Sequence, residues 1–221
     1  MSDEGKLAMT SAIVLAPRST RYTRAEFRRH YEEYHAPLFY SFGKVGVGRY
    51  LRNHIVGFEG DDPPFDTISE FGNYPARRDQ LIAALRSPEA RPLEEDVHDF
   101  LAERGNTFEI SETLIAGPPR SFEAGPVRKR MLLMRKTGGA SADGVAHAAR
   151  DYAASAAGRL GSRATRVTLT LWKPEPAPPM DAMLTVWPAP GDLRPALPAP
   201  PSPLAQAYLL DVDAYCTAWQ D

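Results

Sequence analysis

His35 is the residue of this sequence best suited to proton transfer. An unperturbed imidazole titrates near pH ~6.5, so it can give or take a proton near neutrality. Pro37 disfavours helical geometry at Ala36, and the preceding helix is therefore predicted to end at Tyr34 or His35. This position allows two interpretations: an acid–base group facing a pocket, or a structural histidine that donates to a carbonyl at the helix C-terminus.

Two tyrosines precede His35 on the predicted helix. Tyr31 and Tyr34 recur at helical spacing, which is typical of a buried stripe. A buried tyrosine usually finds a partner for its hydroxyl, and one that faces a cavity could orient a carbonyl or a phenol. We predict Tyr31 as a catalytic residue and Tyr34 as a substrate-binding residue, with burial in the core as the alternative for both.

Further polar residues alternate along two predicted strands. Tyr50 and His54 lie on one face of a strand over residues 48–58, Asn53 lies on its other face, and Glu70 belongs to a strand over residues 65–71. Such residues are usually the solvated side of a half-buried strand, which is the alternative to a pocket wall. We predict Tyr50 as catalytic, and we predict the following as substrate-binding: His54, Glu70, Asn53 and Phe39.

The elements that must position these residues follow the order β-α-β-β-α-β. A strand over residues 8–15 precedes the capping box Thr23-x-x-Glu26, which opens the helix that carries His35. After the strands 48–58 and 65–71 come helices over 75–85 and 89–100, and a strand over 108–115. This order predicts an α+β, ferredoxin-like domain.

The second half repeats the order in weaker form. Strands are predicted over residues 129–135, 166–172, 183–187 and 208–212, with a helix over 142–157 capped by Ser141. The proline-rich segment 188–203 replaces the last helix with an extended loop, which could also offer a surface to a partner. We predict three regions: a first ferredoxin-like domain over 1–117, a linker over 118–127, and a diverged second copy over 128–221.

The motifs of the first half resemble the EthD family of the dimeric α+β barrel superfamily. They are Thr23-x-x-Glu26-Phe27-Arg28-x-x-Tyr31, His35-Ala36-Pro37-Leu38, Arg49-Tyr50-x-x-Asn53-His54, Asp66-x-x-x-Glu70-Phe71, Ser87-Pro88-Glu89 and Asp96-x-x-x-Phe100-Leu101. The resemblance implies two ferredoxin-like sheets paired into a barrel, with a pocket between sheet and helices. It also implies small, mostly apolar substrates, because the superfamily includes cofactor-independent monooxygenases, polyketide cyclases, isomerases and dehydratases.

Here the second copy could complete the barrel within one chain as a pseudo-dimer, and further homodimerisation stays open. That copy lacks the motif, since Ala153 aligns near the position of His35. One site per chain is therefore expected.

Composition excludes several classes of function. The net charge of −2 gives no basic field for nucleic acid, and the longest apolar runs are far shorter than the ~20 residues of a membrane helix. Cys216 is the single cysteine, and the histidines lack compact ligand spacing, so we expect no metal site and no cofactor. The polar N-terminus is unlike a signal peptide. We expect a cytoplasmic protein that binds neither membrane nor nucleic acid.

Three hypotheses of function remain. The first is a cofactor-independent acid–base enzyme, a dehydratase, cyclase or isomerase, acting on a small aromatic, polyketide-like or lactone substrate. The second is a non-catalytic protein that binds a small hydrophobic molecule or assists another enzyme. The third is a cofactor-free monooxygenase, for which the sequence holds no separate signature.

Overall fold

The computed structural model describes residues 10–103, 105–118, 126–174 and 177–218, which divide into two compact units. Unit 1 comprises residues 1–54, 64–107 and 216–221 of the chain, and unit 2 comprises residues 55–63 and 108–215. The described residues form a mixed α/β fold with eight strands, whose assigned pairs are antiparallel. No helix among the described residues is both long enough and apolar enough to cross a membrane.

Unit 1 is built on a three-stranded sheet in the order β1-β3-β2. Its strands are β1 (Thr10–Ala16), β3 (Thr67–Asn73) and the first part of β2 (Val47–Glu59). Tyr50 lies opposite Phe71 and Val14 lies opposite Ser69. Paired residues point to the same side of a sheet, so these four side chains share one face.

The helices of unit 1 follow β1 and β3. They are α1 (Arg24–His30), a π-helical turn (Tyr31–His35) and α2 (Ala36–Gly43), then α3 (Arg78–Leu85) and α4 (Arg91–Phe100), each of the last two opened by a short 3-10 turn. The predicted capping box is present: Thr23 Oγ1 accepts from the Glu26 amide, and the Glu26 carboxylate accepts from the Thr23 amide.

Unit 2 has five strands in the order β8-β5-β7-β6-β4. They are β4 (Thr107–Ala116) from residue 108 onward, β5 (Val127–Lys136), β6 (Ala164–Trp172), β7 (Ala182–Pro188) and β8 (Leu204–Ala218) up to residue 215. The helix α5 (Ala142–Leu160) connects β5 to β6. Ser141 caps α5 by accepting from the Gly144 amide. Ala153 is fully buried in the hydrophobic core that α5 forms with the strands, so the position aligned with His35 is a packing position.

The proline-rich segment forms an extended loop, as predicted. Residues 189–203 contain neither helix nor strand. Leu197 packs against the core of unit 2, and the Tyr152 hydroxyl on α5 donates to the Pro198 carbonyl at 2.6 Å. The loop therefore covers part of the core.

The predicted end of the first helix is wrong. The helical path continues past His35 to Gly43, although Pro37 has no amide hydrogen to donate. The π-helical turn accommodates the proline, because the Ala36 amide donates to the Tyr31 carbonyl five residues earlier. His35 therefore lies inside the helix and does not cap its C-terminus.

Other boundaries differ by a few residues from prediction. The structure describes β1 from Thr10 onward, so residues 8 and 9 of the predicted strand lie outside the described residues. Most of the predicted linker, residues 119–125, also lies outside it. The order of elements agrees with the prediction, whereas two ferredoxin-like copies paired into a barrel remain a prediction.

Candidate functional site

A cavity of about 730 Å³ lies in unit 1 between its sheet and its helices. We call it the His35 cavity. The sheet contributes Val14, Ala16, Tyr50, Ser69 and Phe71, and the first helical path contributes Tyr31, His35 and Phe39. The remaining wall comes from the residues of α3, α4 and the segments beside them: Leu85, Arg86, Ala90, Leu93, Glu94, Val97, His98, Leu101 and Gly105.

The π-helical turn places His35 at this cavity. Such turns widen the helix by one residue and are frequent at functional sites. The residue His35 is 7% exposed, and its ring packs against the rings of Phe100 and Tyr31 with centroid separations of 4.7 Å and 4.8 Å. Two aromatic neighbours therefore fix the plane of the imidazole.

Asp96 is hydrogen-bonded to one nitrogen of the His35 ring. Its Oδ2 lies 2.9 Å from Nδ1 of His35, and its Oδ1 lies 2.6 Å from Nε2 of His30. An ionised carboxylate can only accept hydrogen bonds, so Nδ1 of His35 carries the hydrogen. Neutral His35 then has its lone pair on Nε2, and no hydrogen bond joins that nitrogen to another described residue. This is the arrangement of a general base held by a carboxylate.

Three hydroxyl groups form a cluster beside His35 in the cavity wall. The Tyr31 hydroxyl lies 2.8 Å from the Tyr50 hydroxyl and 2.8 Å from Ser69 Oγ. Burial raises the pKa of Tyr31, and it raises the pKa of Tyr50 well above its ordinary value. Both phenols are therefore neutral near pH 7, and they can donate to an oxygen that gains negative charge.

The rest of the wall is mainly apolar and aromatic. The Tyr50 and Phe71 rings are stacked with centroids 4.7 Å apart, and Phe39 lies 5.0 Å from Tyr50. Gly43 leaves the space that the Phe39 ring occupies, because a Cβ there would collide with the ring. Among the described residues that line the cavity, the exposed polar ones are Arg86, Glu94 and His98.

The structure brings four of the predicted site residues together at the cavity, namely His35, Tyr31, Tyr50 and Phe39. Tyr34 is 51% exposed and does not line the His35 cavity. The π-helical turn changes the angular spacing along the helix, so residues 31 and 35 face the cavity while residue 34 faces outward. The substrate-binding role predicted for Tyr34 has no support from its position.

Asn53 and Glu70 lie on the opposite face of the sheet. Leu51 pairs with Glu70 and Asn53 pairs with Ile68 in the β2–β3 register, whereas Tyr50 pairs with Phe71. The Asn53 amide donates to Glu70 Oε1 at 2.9 Å and to the Ile68 carbonyl at 2.8 Å. Because side chains alternate along a strand, neither Asn53 nor Glu70 can reach the cavity that Tyr50 lines.

His54 shares the face of Tyr50 but belongs to another network, which we call the Glu32 network. Nε2 of His54 lies 2.7 Å from Glu32 Oε1, and its Nδ1 lies 2.8 Å from Thr67 Oγ1. Arg52 donates to both Glu32 oxygens at 2.8 Å and 2.9 Å. Both His54 nitrogens are occupied and His54 does not line the His35 cavity, so the arrangement favours a structural role over the predicted substrate contact.

Sequence reasoning missed Asp96, Ser69, His30 and His98. By itself, the acidic run at 94–96 is typical of a solvated helix face. Leu93, Asp96 and Phe100 occupy helical positions i, i+3 and i+7, however, and all three are buried. An acid on the apolar stripe of a helix is therefore the signal that could have identified Asp96 as the partner of a buried base.

The described residues include no group of three or more His, Cys, Asp and Glu side chains that could hold a metal ion. Cys216 is half-buried near the end of β8 and is not among the residues that line the His35 cavity.

Comparisons with known proteins agree with these motifs. Residues 19–104 match the model of the EthD domain family, a segment that contains His35, Tyr50 and Asp96. Among curated proteins, none matches the chain.

Solved structures give remote matches. An anthrone oxidase-like protein is 8% identical, with 100% of this chain and 97% of that chain covered and a TM-score of 0.57. A candidate monooxygenase from Lactobacillus acidophilus NCFM is 9% identical, with 96% and 99% covered and a TM-score of 0.45. A mutant chlorite dismutase from Candidatus Nitrospira defluvii, in complex with cyanide, is 8% identical, with 96% and 95% covered and a TM-score of 0.42. At 8% identity and a TM-score of 0.57, the match to the anthrone oxidase-like protein shows a shared fold.

Proposed function

We propose that the His35 cavity is the active site of an acid–base enzyme, from the premise that residues 19–104 match the EthD domain family. Its substrate is a small, largely apolar aromatic, polyketide-like or lactone molecule. The observation that carries the proposal is the position of His35, which lines the cavity while Nδ1 donates to Asp96. The predicted catalytic roles of His35, Tyr31 and Tyr50 belong to this proposal.

The first chemical step is removal of a proton from an acidic C–H or O–H group. The proton passes to Nε2 of His35, and its bonding electron pair stays on the substrate as an enolate or a phenolate. Asp96 stabilises the imidazolium that forms, because its Oδ2 accepts from Nδ1. The imidazolium can then return the proton to the substrate, to a different carbon in an isomerisation or to a leaving hydroxyl group in a dehydration.

The hydroxyl cluster supports this chemistry. The Tyr31 hydroxyl shares hydrogen bonds with the Tyr50 hydroxyl and with Ser69, so the phenols are oriented before substrate enters. A donor that is already oriented stabilises developing oxyanion charge without reorganising. The apolar wall around the cluster lowers the local polarity, which strengthens these interactions.

The cavity limits the substrate class. A volume of about 730 Å³ lies within the ~300–1,000 Å³ of typical small-molecule sites. The rings of Phe39 and Phe71 in the cavity wall suit a substrate with a planar ring system. The exposed side chains of Arg86 and His98 suit an acidic substituent on that substrate. Glu94 at the same place disfavours a second acidic group.

A cofactor-free oxygenation is the second candidate. The same deprotonation of an activated methylene group produces an electron-rich anion that dioxygen oxidises. One oxygen atom becomes the carbonyl oxygen of the product, and the other leaves as water with the two hydrogens of the methylene group. The fold shared with an anthrone oxidase-like protein favours this outcome over other oxidations. The third candidate, non-catalytic binding of a hydrophobic molecule, requires the cavity but no proton transfer.

The proposal also includes the domain arrangement. We propose that residues 1–117 and 128–221 are tandem ferredoxin-like copies that pair into a barrel within one chain. The order of elements along the chain supports it. One active site per chain follows, since Ala153 is a core residue of unit 2.

Proton exchange on a model ketone tests the function. Anthrone has an acidic methylene group and a planar ring system, and NMR in D₂O without oxygen measures the loss of its methylene hydrogens. We expect the protein to accelerate this loss and the variant His35→Gln not to do so. Oxygen uptake after admission of air distinguishes oxygenation from the other reactions. Tight binding of anthrone without accelerated exchange would favour the non-catalytic protein.

A further inference from the structure

The Asp96 carboxylate is shared between two histidines that occupy different environments. His35 lines the cavity, whereas the side chain of His30 is 23% exposed and lines a separate surface pocket of about 290 Å³. Asp96 between them is 3% exposed. The proposed function assigns a role to His35 and Asp96 but none to His30.

A second partner keeps the Asp96 carboxylate in the orientation in which it accepts a hydrogen bond from His35. A carboxylate held at one oxygen can turn about its last side-chain bond, and the other oxygen can then leave its partner. The contact of His30 Nε2 with Oδ1 at 2.6 Å and of His35 Nδ1 with Oδ2 at 2.9 Å fixes both oxygens at once. Since the carboxylate only accepts, Nε2 of His30 carries the hydrogen that is donated.

His30 is itself held in place by its surroundings. The rings of Tyr22, Tyr34 and Phe100 lie around it, with centroid separations of 5.5, 5.3 and 5.2 Å. Asp99 on α4 belongs to the same edge of the unit, where its carboxylate contacts the Tyr22 hydroxyl at 2.8 Å. The charged groups that line the surface pocket with His30 are Arg21, Glu26, Arg29 and Glu33.

We propose that His30 is a positioning residue that acts through Asp96 to hold His35 in the Nδ1–H tautomer, with the Nε2 lone pair available to substrate. This inference rests on the proposed function for its purpose. The tautomer of His35 can be measured without any substrate.

The alternative is that His30 only packs among its aromatic neighbours. Two substitutions separate these roles. Glutamine in His30→Gln offers an amide N–H to Asp96, whereas leucine in His30→Leu keeps apolar volume and offers no donor. If His30→Leu fails to fold, His30→Met provides a more flexible apolar side chain for the same comparison.

The test is ¹⁵N NMR of the imidazole nitrogens in the full chain, without ligand, with His35 assigned by the loss of its signals in His35→Gln. We expect Nδ1–H in the native protein and in His30→Gln, and a mixture of both tautomers in His30→Leu. His147 on α5 is 80% exposed and pairs with Asp151, so His147→Leu is the matched control and should leave the His35 signals unchanged.

A pure Nδ1–H tautomer in His30→Leu would overturn the proposal, as would a mixture in His30→Gln equal to that in His30→Leu. If anthrone or another substrate is turned over, His30→Leu should lose up to about 10²-fold in kcat, the cost of a misplaced group, and His30→Gln should restore most of it. Absence of turnover in the native protein would count against the proposed function and leave the NMR result standing.

Discussion

Unit 1 contains two carboxylate–histidine networks that differ in what the histidine can still do. In the Glu32 network, both nitrogens of His54 have partners within the protein, and Arg52 neutralises the carboxylate. In the Asp96 network, one nitrogen of His35 is held and the ring lines a cavity. A buried histidine is therefore not by itself a sign of catalysis. The unoccupied nitrogen at a cavity distinguishes a base from a structural residue.

The largest expected effect comes from His35→Gln. Loss of a general base should lower turnover about 10²–10⁴-fold, while ligand affinity stays within about tenfold because the cavity walls are unchanged. Steady-state kinetics and calorimetric titration measure the two quantities. The matched variant His54→Gln should lower stability and leave the turnover of the folded protein nearly unchanged. Equal losses of turnover in the two variants would remove the distinction between the networks.

The next effect is on stability and comes from Glu32→Gln. Arg52 has a side chain 4% exposed, and the substitution leaves this buried guanidinium without its charged partner. Breaking such a pair typically costs about 3–5 kcal/mol. Urea denaturation at pH 7 should show this loss in the free energy of unfolding. A loss below about 1 kcal/mol would mean that the Glu32 network does not stabilise the unit.

Tyr50→Phe tests the hydroxyl cluster in the wall of the His35 cavity. Removal of one oriented donor to an oxyanion costs about 10²-fold or more in kcat, and the remaining phenyl ring preserves the stack on Phe71. Kinetics should show a lower kcat with KM little changed. If kcat is retained while affinity falls, Tyr50 binds substrate without stabilising charge.

The smallest effect is the dependence of stability on pH. Burial outweighs the attraction of Glu32 and lowers the pKa of His54 below its ordinary 6.5. Burial alone would raise the pKa of Glu32, but the hydrogen bonds from His54 and Arg52 outweigh it and lower that pKa below 4.5. Both groups bind protons more readily in the unfolded chain, so both favour folding less as pH falls.

The urea midpoint should therefore decrease as the pH falls from 7 through 6.5, and decrease further below 4.5. His54→Gln should remove the first part of this decrease. The exposed His147→Gln serves as the control and should retain it. A native midpoint that is constant or rises between pH 7 and 5 would contradict the account of the Glu32 network.

Much of the fold and part of the site follow from the sequence. The capping box at Thr23 and the helical recurrence of Tyr31 and Tyr34 are local signals, and local signals predict the order of the elements well. Alternation along β2 correctly separates Tyr50 from Asn53, but it cannot tell which face meets the helices. That choice depends on packing between elements and needs the structure.

Two parts of the site could not be predicted by local rules. The proline rule ends the helix at His35, whereas the π-helical turn continues it and thereby turns His35 inward and Tyr34 outward. Asp96 lies 61 positions from His35 along the chain, and its contact depends on how α4 packs. Pairing across such a separation is a property of the tertiary fold.

The most direct test of the central claim is the ionisation state of a bound phenol. A chromogenic bicyclic phenol such as 4-nitro-1-naphthol changes its absorption spectrum when it loses its proton. Its spectrum should be recorded with the native protein, His35→Gln and His54→Gln at one fixed pH. We predict a larger phenolate fraction on the native protein and on His54→Gln than on His35→Gln. Equal phenolate fractions on all three, with the phenol bound by each, would contradict the assignment of His35 as the base.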